Sequence, residues 1–373
     1  MIKVNLIIDG NYLLMKNLFI LKKLRAISDL EDLLIRDYNN LSKSFPYNMI
    51  YFVSDSKEFN WRKQEFVQYK GQRKKDDTID WKFVFETYDK FKTFLKTKRK
   101  LKVLEYPGLE GDDFISHIVK TSNKDNYSNI IIASDKDLQQ LLNFDLNKNQ
   151  INIQWNYRFS DERLYLPENY QLILKQLDEN VSDNIFNLSN DAEFSNFIKS
   201  LIKKTKTKSI NTEQMLFIKI VQGDASDNIP SILKTKNGKI DINGRGIGEK
   251  GGETVYKIYK KMYPEKIDFK SDIFINNLTD VIFYYKKMKS PSESDKNLVK
   301  KNIKFNLKLI TLDSSYIPKK IYENMINHYD KILNEEYVEI ETKETKDSLK
   351  EKDDFLFSSP TNDEFNPDEY WEL

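Results

Sequence analysis

Four short runs of apolar residues divide the first part of the chain. They are Val4–Ile8, Met49–Val53, Leu101–Leu104 and Ile130–Ala133. The first and last runs are continuous rather than alternating, which is typical of parallel strands covered on both faces. The stretches between the runs have helical spacing and are roughly 25 to 45 residues long, enough for crossover helices. Residues 1–157 are therefore predicted to form an α/β domain with a largely parallel sheet.

The pattern changes after Trp155, where polar residues become more frequent. Residues 158–212 are predicted to form a variable helical connection. Residues 213–334 are predicted to form a helical region, interrupted by the glycine-rich segment Gly244–Gly252. Residues 335–373, called the acidic tail below, have a composition typical of disorder.

The composition restricts the chemistry of the chain. It has no Cys and two His in 373 residues. Disulfides, thiolate catalysis and cysteine zinc sites are excluded, and a histidine-centred site is disfavoured. Metal or acid–base chemistry must then use carboxylates and lysines.

The net charge of +2 conceals two oppositely charged parts. The acidic tail has 14 acidic side chains against four lysines, a net charge of −10, so residues 1–334 carry +12. A basic body favours a polyanionic partner such as nucleic acid, and a soluble lysine-rich surface is the alternative. No apolar run is long enough to span a membrane and no signal-peptide layout is present, so we expect a cytoplasmic protein.

Acidic residues follow all four predicted strands. They are Asp9, Asp55, Glu110, Asp112, Asp113, Asp135 and Asp137, and a later segment adds Asp224 and Asp227. Because the carboxyl ends of parallel strands meet at one edge of a sheet, we expect these carboxylates to crowd one crevice. Each acid alone also suits a helix cap, but so many like charges need cations, and Mg²⁺ or Mn²⁺ prefers oxygen ligands. Two such ions roughly 4 Å apart form the arrangement used for in-line attack on a phosphodiester.

A basic loop, Tyr69–Arg73, lies between the second and third predicted strands. A Lys and an Arg beside a metal cluster suit the charge that develops on a scissile phosphate, so Lys70 and Arg73 are candidates for that role. Tyr69 is predicted to stack on a terminal base. A solvated basic surface is the simpler reading of the same loop.

The glycine-rich segment matches a dinucleotide fingerprint at Gly246, Gly248 and Gly251. The residues before it are too few and too polar for a central strand, so this match is rejected. The segment is instead predicted to be a turn whose backbone N–H groups, with the start of the following helix, receive a DNA phosphate. The predicted contacts are Gly244, Gly246, Gly248 and Lys250.

Seven motifs, taken in order, resemble the 5′-nuclease (flap endonuclease) superfamily. They are IIDGN, SDS, YKGQR, GLEGDD, ASDKDL, GDASDNIP and GRGIGEKGG, and the resemblance covers residues 2–261. The spacing and residues 310–329 look most like the T-even phage ribonuclease H branch, which removes lagging-strand RNA primers and adjacent DNA during replication. The resemblance implies a PIN-like fold with a helix–turn–helix element at the glycine-rich segment. It also implies Mg²⁺-dependent 5′-to-3′ exonuclease, flap endonuclease and ribonuclease H activity on RNA/DNA and DNA duplexes.

The resemblance assigns a role to each motif residue. One metal cluster would comprise Asp9, Asp55, Glu110 and Asp112, and a second Asp135, Asp137, Asp224 and Asp227, with Asp113 shared or acting through water. Lys70 and Arg73 match the basic pair that approaches the scissile phosphate, and Tyr69 matches an aromatic residue near it. The glycine-rich segment matches the element that tracks the duplex backbone, where the resemblance also suggests K⁺.

Three other functions compete with this interpretation. A PIN-type single-strand ribonuclease would lack the acid pair Asp224 and Asp227 and the glycine-rich segment. A catalytically inactive, structure-specific DNA-binding protein would have lost cluster acids, whereas all nine are present. A nucleotide-binding enzyme is the least favoured. The chain departs from the superfamily in the length of residues 158–212 and 231–243 and in its acidic tail.

The end of the acidic tail combines acids with large apolar side chains. Within residues 353–373 these include Phe355, Leu356, Phe357, Phe365, Tyr370 and Trp371. Such a composition suggests a short recognition peptide for a sliding clamp or a single-strand-binding protein. The tail could also fold back onto the basic body and compete with DNA, or have no partner. We expect the protein to be a monomer.

Overall fold

A computed structural model describes residues 4–44, 47–57, 60–98, 100–145, 148, 150–157, 162–168, 192–233 and 246–335. Its strands are β1 Val4–Asp9, β2 Met49–Val53, β3 Leu101–Leu104, β4 Ser128–Ile132, β5 Asn143–Asp145, β6 Gln150–Asn156, β7 Arg163–Pro167 and β8 Lys206–Ile210. Its helices are α1 Gly10–Leu24, α2 Leu30–Lys43, α3 Trp61–Glu65, α4 Trp81–Lys96, α5 Gly111–Lys124, α6 Ala192–Lys204, α7 Thr212–Gln222, α8 Glu249–Met262, α9 Asp272–Tyr285, α10 Glu293–Ile310 and α11 Lys319–Asn334.

The described strands form one sheet in the order β3-β2-β1-β4-β6-β7-β8, with β5 paired to β6. The neighbours from β3 to β6 run parallel, and β6 pairs antiparallel with β5 and β7. The predicted largely parallel sheet is thus confirmed. Its strand order reverses direction at β1 and β4, so their carboxyl ends flank the crevice where such sheets bind ligands.

Alternation along the central strands divides their side chains between two apolar layers. Leu6 and Ile8 of β1 point into a core formed with α1, α2 and α4. Ile7, between them, belongs to a separate core that includes residues of α5 and α11. Because both faces are covered, Leu6, Ile7 and Ile8 of β1 are apolar in succession, which is the signal that predicted a central parallel strand.

The sheet continues beyond the predicted boundary at residue 157. Residues 158–212, predicted to be a helical connection, contain β7 and β8 as well as α6, so that expectation is incomplete. The lysines of β8 explain the omission, since polar residues on an edge strand remove the apolar signal and discourage pairing with other chains. Residues 169–191 of this connection lie outside the described residues.

The predicted helical C-terminal region is present. Helices α7 to α10 contribute to an apolar core of their own, with Phe217, Phe274 and Ile303 among its buried members. Helix α11 instead returns to the α/β part, where Met325 and Tyr329 pack with Ile7 of β1. The last described helix therefore covers the sheet rather than extending the helical region. Among the described helices, none is long and apolar enough to cross a membrane.

His117 lies between α5 and α11, half-buried against two tyrosines. Its ring meets that of Tyr329 edge-on at 5.0 Å between centroids, and its Nδ1 lies 3.3 Å from Tyr322 Oη. Burial, helped by the nearby charges of Lys124 and Lys120, lowers the pKa of His117 to about 4. The imidazole is therefore neutral in the folded protein at neutral pH.

This depressed pKa predicts an acid-sensitive contact. Between pH 6.5 and about 4 the unfolded chain binds a proton at His117 and the folded chain does not, so stability falls as pH is lowered. The effect amounts to at most about 3 kcal/mol at 1.36 kcal/mol per pKa unit. We expect His117→Gln to lose less stability than the wild type over this range, measured by urea unfolding. Parallel losses in the two proteins would contradict the assignment.

Candidate active site

The strand ends fix the first carboxylates. Asp9 is the last residue of β1, and its Oδ1 accepts a hydrogen bond from Tyr12 N at 3.0 Å, which caps α1. In the sheet Asp9 is paired with Val53 of β2, so Asp55 follows directly beside it. Asp135 comes three residues after β4, the other neighbour of β1. The parallel register therefore brings three carboxylates to one edge.

The start of α5 adds Glu110 and Asp112 to this edge. Gly111 N donates a hydrogen bond to Asp55 Oδ1 at 2.6 Å. A Cβ at position 111 would lie 3.2 Å from that oxygen, so the glycine allows the carboxylate to approach the backbone. The helix N-terminus also places its partial positive charge towards the acids.

Two further carboxylates, Asp224 and Asp227, come from the turn after α7. Gly223 has φ of 77°, and a Cβ there would lie 2.3 Å from Ile229 O, so this turn requires glycine. Asp224 and Ile229 exchange two backbone hydrogen bonds across the turn. Lys70 N donates to Asp227 O at 3.0 Å, which ties the turn to the basic loop. The structure thus places the acids from both parts of the chain beside that loop.

Four of the nine carboxylates form no ion pair within the described parts of the chain. They are Asp9, Asp55, Asp112 and Asp135. Burial and the charges of Asp55 and Asp135 raise the pKa of Asp9 to about 7. Burial and the charges of Asp135 and Asp9 raise the pKa of Asp112 well above its ordinary value. These four groups form an acidic pocket whose members have no ion-pair partner among the described side chains, although Lys70 and Lys219 lie close enough to oppose the rise in pKa of some of them.

The other carboxylates pair with basic side chains. Glu110 accepts from Lys70 Nζ at 2.6 Å and from Arg62 Nη1 at 3.0 Å. Although burial disfavours the charged form, these two cations lower the pKa of Glu110 to about 2. Asp227 accepts from Arg73 Nη2 at 2.7 Å. The two basic residues predicted from the sequence therefore do lie at the cluster.

Lys219 of α7 was not predicted from the sequence. Its Nζ contacts Asp137 and lies 2.8 Å from Asp224 Oδ2, so it joins acids from the two parts of the chain. Burial opposes ionisation of Asp224, but Lys219 and the donors of Ser226 lower its pKa to about 2. The available signal was a lysine one helical turn before the motif GDASDNIP.

The structure gives Asp113 a different role from the one predicted. It is 4% exposed, and its two oxygens accept from Arg62 Nη1 and Nη2, each at 2.8 Å. Trp61 Nε1 donates to the same carboxylate at 3.0 Å. With its lone pairs engaged in this way, Asp113 holds Arg62 in place rather than facing the pocket. A lone Arg in α3 gave no sequence signal, because burial and pairing appear only in three dimensions.

The predicted stacking of Tyr69 on a base is wrong for this structure. The side chain is 2% exposed, and its hydroxyl lies 2.9 Å from both Glu110 Oε2 and Asp227 Oδ2. A buried phenol needs a hydrogen-bond partner, and here it joins carboxylates of the two parts of the chain. The neighbouring Lys70 has φ of 51°, an uncommon conformation for a lysine, and its side chain remains 20% exposed.

The glycine-rich segment leads into α8. Gly246, Ile247 and Gly248 precede the helix, which begins at Glu249, so Gly251 and Gly252 belong to its first turn and not to the turn before it. A Cβ on Gly252 would lie 3.0 Å from Ile218 of α7, so this glycine permits close helix packing. Lys250 is exposed on the first turn. Gly244 lies outside the described residues.

The donor set suits a divalent cation. Among the described residues, no three acidic or histidine side chains are already arranged around one point as ligands of an ion. The acidic pocket nevertheless offers only oxygen donors, and its carboxylates repel one another. A hard cation would relieve that repulsion. At the flanking acids, Lys70 and Lys219 already relieve it. The residues therefore fit Mg²⁺ or Mn²⁺ in chemistry and charge.

Comparisons with known proteins show what this chain is similar to. Residues 4–165 match the family model of the N-terminal, resolvase-like domain of 5′-3′ exonucleases. The chain is 27% identical over 213 residues to DNA polymerase I of Borreliella burgdorferi, covering 56% of this chain and 17% of that protein. It is 28% identical over 104 residues to ribonuclease H of Enterobacteria phage T4, covering 27% of this chain and 34% of that protein. The chain therefore spans well under half the length of either relative.

Solved structures share the fold. The T5 5′-exonuclease with bound divalent zinc ions has a TM-score of 0.53 at 17% identity, covering 88% of this chain and 99% of that one. The bacteriophage T5 flap endonuclease in complex with DNA and metal ions has a TM-score of 0.52 at 16% identity, covering 89% of this chain and 100% of that one. Together with the matching domain, these similarities confirm the resemblance to the 5′-nuclease superfamily that the ordered motifs predicted.

Neutralising Asp113 should lower the free energy of unfolding, whereas neutralising its neighbour Asp112 should not. Asp113→Asn breaks a buried ion pair with Arg62 and should cost about 3 kcal/mol of unfolding free energy. Asp112→Asn removes a carboxyl whose charged form is disfavoured by burial and by the charges of Asp135 and Asp9, so it should cost nothing in unfolding free energy in EDTA. Urea unfolding of both variants measures the difference. Equal losses would show that Asp113 is not the structural member of the pair.

Proposed function

We propose that this chain is a divalent-metal-dependent 5′-to-3′ nuclease, acting as exonuclease and flap endonuclease with ribonuclease H activity. The observation that carries the proposal is the acidic pocket of Asp9, Asp55, Asp112 and Asp135 with Lys70 and Arg73 at its side. A pocket of unpaired carboxylates attracts metal, whereas the adjacent cations attract phosphate. The two charges side by side suit a phosphodiester better than a small carboxylate or a neutral ligand.

The carboxylates are proposed to form two groups of metal ligands. Asp9, Asp55, Glu110 and Asp112 would hold one ion, and Asp135, Asp137, Asp224 and Asp227 would hold a second. The paired acids among them would first exchange their contacts with Lys70, Lys219 and Arg73. When bound, Mg²⁺ supplies Lewis-acid activation of water and neutralises charge on the phosphate. The glycine at position 111 and the hydrogen bond from its N–H fix the orientation of Asp55.

Lys70 and Arg73 are positioned to contact the phosphate itself. Both side chains reach the pocket from one loop and keep 20% and 31% of their side-chain surface exposed. Their present partners, Glu110 and Asp227, orient the two side chains at the edge of the pocket. A phosphate bound in the pocket would accept hydrogen bonds from these two side chains as negative charge develops on its oxygens.

The substrate proposal follows from charge and from the relatives. We propose 5′ ends and flaps of RNA/DNA and DNA duplexes, as in primer removal during replication, with Mn²⁺ able to replace Mg²⁺. Gly246, Gly248 and Lys250 are proposed to contact the duplex backbone, with K⁺ at the same turn, as one half of a helix–turn–helix element. The protein is further proposed to act as a monomer in the cytoplasm. A sliding clamp or single-strand-binding protein as partner stays a prediction, because the acidic tail lies outside the described residues beyond Glu335.

The test of this function uses duplex substrates labelled at either end. An RNA/DNA hybrid and a 5′ flap, each labelled at its 5′ or 3′ end, are incubated with Mg²⁺ or with EDTA. We expect short products from the 5′ label and slow shortening of the 3′-labelled strand from its 5′ side, in Mg²⁺ alone. Cleavage of single strands but not duplexes would favour the PIN-type ribonuclease, and binding without cleavage the inactive DNA-binding protein.

Two substitutions test the acidic pocket. Asp112→Asn and Asp135→Asn should each lower the rate by roughly 10²-fold or more, because metal-derived stabilisation of several kcal/mol is lost. Duplex binding should persist. Asp77→Asn, an exposed acid outside the pocket, is the matched control and should cleave normally. Near wild-type cleavage by both pocket variants would refute the assignment.

Lys70 is expected to act on the rate rather than on affinity. Lys70→Ala should lower single-turnover cleavage on the order of 10²-fold, as for removal of one donor aimed at developing charge. Its exposed neighbour Lys74→Ala serves as the control and should change binding slightly and the rate little. A defect of Lys70→Ala confined to affinity, and abolished at low salt, would make it a backbone contact.

A further inference from the structure

A groove of about 1040 Å³ runs along the edge strand β3. One wall is α4 and the other is α11. Ser56 and Glu105 line the groove near the carboxyl ends of β2 and β3, and Lys98 and Lys100 line it near the start of β3. Ser56 directly follows Asp55, so one end of the groove lies next to the acidic pocket. No function proposed above uses this surface.

The groove is strongly basic at one end. It is lined by six lysines against three carboxylates: Lys57, Lys92, Lys96, Lys98, Lys100 and Lys102, with Asp89, Glu105 and Glu335. Lys57 and Lys92 pair with Asp89, and Lys92 also pairs with Glu105. No described carboxylate pairs with Lys96, Lys98 or Lys100. Three positive charges near the start of β3 therefore have no carboxylate partner among the described residues, although Lys98 Nζ also lies 4.1 Å from the centroid of the Phe94 ring.

The floor of the groove is apolar. Met49, Leu101, Val103, Ile332 and Leu333 line it between the lysines. Among the described lining residues, His328 alone has an aromatic ring, so the groove lacks the stacked platforms on which single-stranded nucleic acid binds. Basic walls over an apolar floor favour a peptide that combines acids with large apolar side chains.

The described chain ends inside this groove. Lys102 Nζ donates to Ile332 O at 2.6 Å and to Glu335 O at 3.1 Å, which secures the end of α11 against β3. Glu335 itself lines the groove and is the last described residue. The acidic tail therefore starts within the groove.

The tail has a composition that complements the groove. Residues 336–352 mix six acids with four lysines, whereas residues 353–373 have seven acids, no basic residue and seven large apolar side chains. The 17 residues of the first part can span at most about 60 Å, several times the length of β3. A covalently attached ligand also has an effective concentration on the order of 1 mM, so even weak docking is populated.

We propose that residues 353–373 bind in the lysine-lined groove along β3, with their acids on Lys96, Lys98 and Lys100 and their apolar side chains on its floor. Bound there, the tail covers a basic surface that ends beside the acidic pocket. It would then compete with any nucleic-acid strand that follows this surface, and release of the tail would expose it. The docking itself does not depend on nuclease activity.

The absence of Cys allows a direct test in the full-length chain. Thr93→Cys, exposed on the α4 wall, and Ser359→Cys, within the proposed ligand, are labelled as a donor–acceptor pair for energy transfer. We expect efficient transfer at low salt and a loss of transfer at about 0.5 M salt, where charge pairs are screened. Lys96→Glu with Lys100→Glu should reduce transfer at low salt to the high-salt level.

Two controls separate docking from general charge effects. Lys257→Glu with Lys261→Glu makes the same charge change at the same spacing on α8, outside the groove, and should leave transfer unchanged. Neutralising the seven acids of residues 353–373 should abolish transfer as the groove variant does. Thermal melting of each variant verifies that it is folded.

Several results would overturn the proposal. Transfer that is equal in the groove variant and in the wild type, or equally lost in the α8 control, would exclude specific docking. A single-stranded oligonucleotide that cross-links to Lys96 or Lys100 while transfer stays constant would make the groove a nucleic-acid path instead. Loss of cleavage in the pocket variants with transfer intact would support the docking, which shows that the two proposals fail separately.

Discussion

Electrostatic repulsion among nine carboxylates is the constraint on which the rest of this structure depends. Parallel pairing of β1, β2 and β4 brings the acids to one edge of the sheet even though their negative charges repel one another. Five are compensated from within the described chain, by Lys70, Arg62, Arg73 and Lys219. The four acids of the pocket are left to be neutralised by protons or by bound cations. The raised pKa values of Asp9 and Asp112 show that their charged forms are disfavoured.

The compensating side chains also join the two parts of the chain. Arg62 pairs with Glu110 and Asp113 of the α/β part, and its Nε donates to Leu309 O of α10 at 2.9 Å. Tyr69 contacts both Glu110 and Asp227, and Lys219 contacts Asp137 as well as Asp224. The contacts to Asp224, Asp227 and Lys219 therefore form only when the helical part is docked on the sheet. Buried networks of this kind are costly to break at one member, so they hold the geometry of the site.

Sequence patterns predicted the strands that carry the site but not the limits of the sheet. Central strands such as β1 and β4 are buried on both faces and must be apolar, so their sequences are distinctive. β6 is equally buried, but it contains the polar residues Asn152 and Gln154, so its sequence lacks the continuous apolar run that predicts a buried strand. Gln154 is satisfied by donating to Asp135 O at 2.7 Å, which supports the loop that carries a pocket carboxylate. A polar residue with a buried partner cannot be told from an exposed one without the partner's position.

The sequence by itself determined which acids follow the strands and the order of the superfamily motifs, because parallel pairing converts position along each strand into position at one edge. It also determined that Lys70 and Arg73 come from one basic loop. Only the tertiary structure decided which carboxylates remain unpaired, that Asp113 pairs with Arg62 and Tyr69 is buried, and that Lys219 completes the cluster. Those outcomes depend on which side chains meet across long stretches of chain, and pairing energies act between atoms in contact rather than between neighbours in sequence.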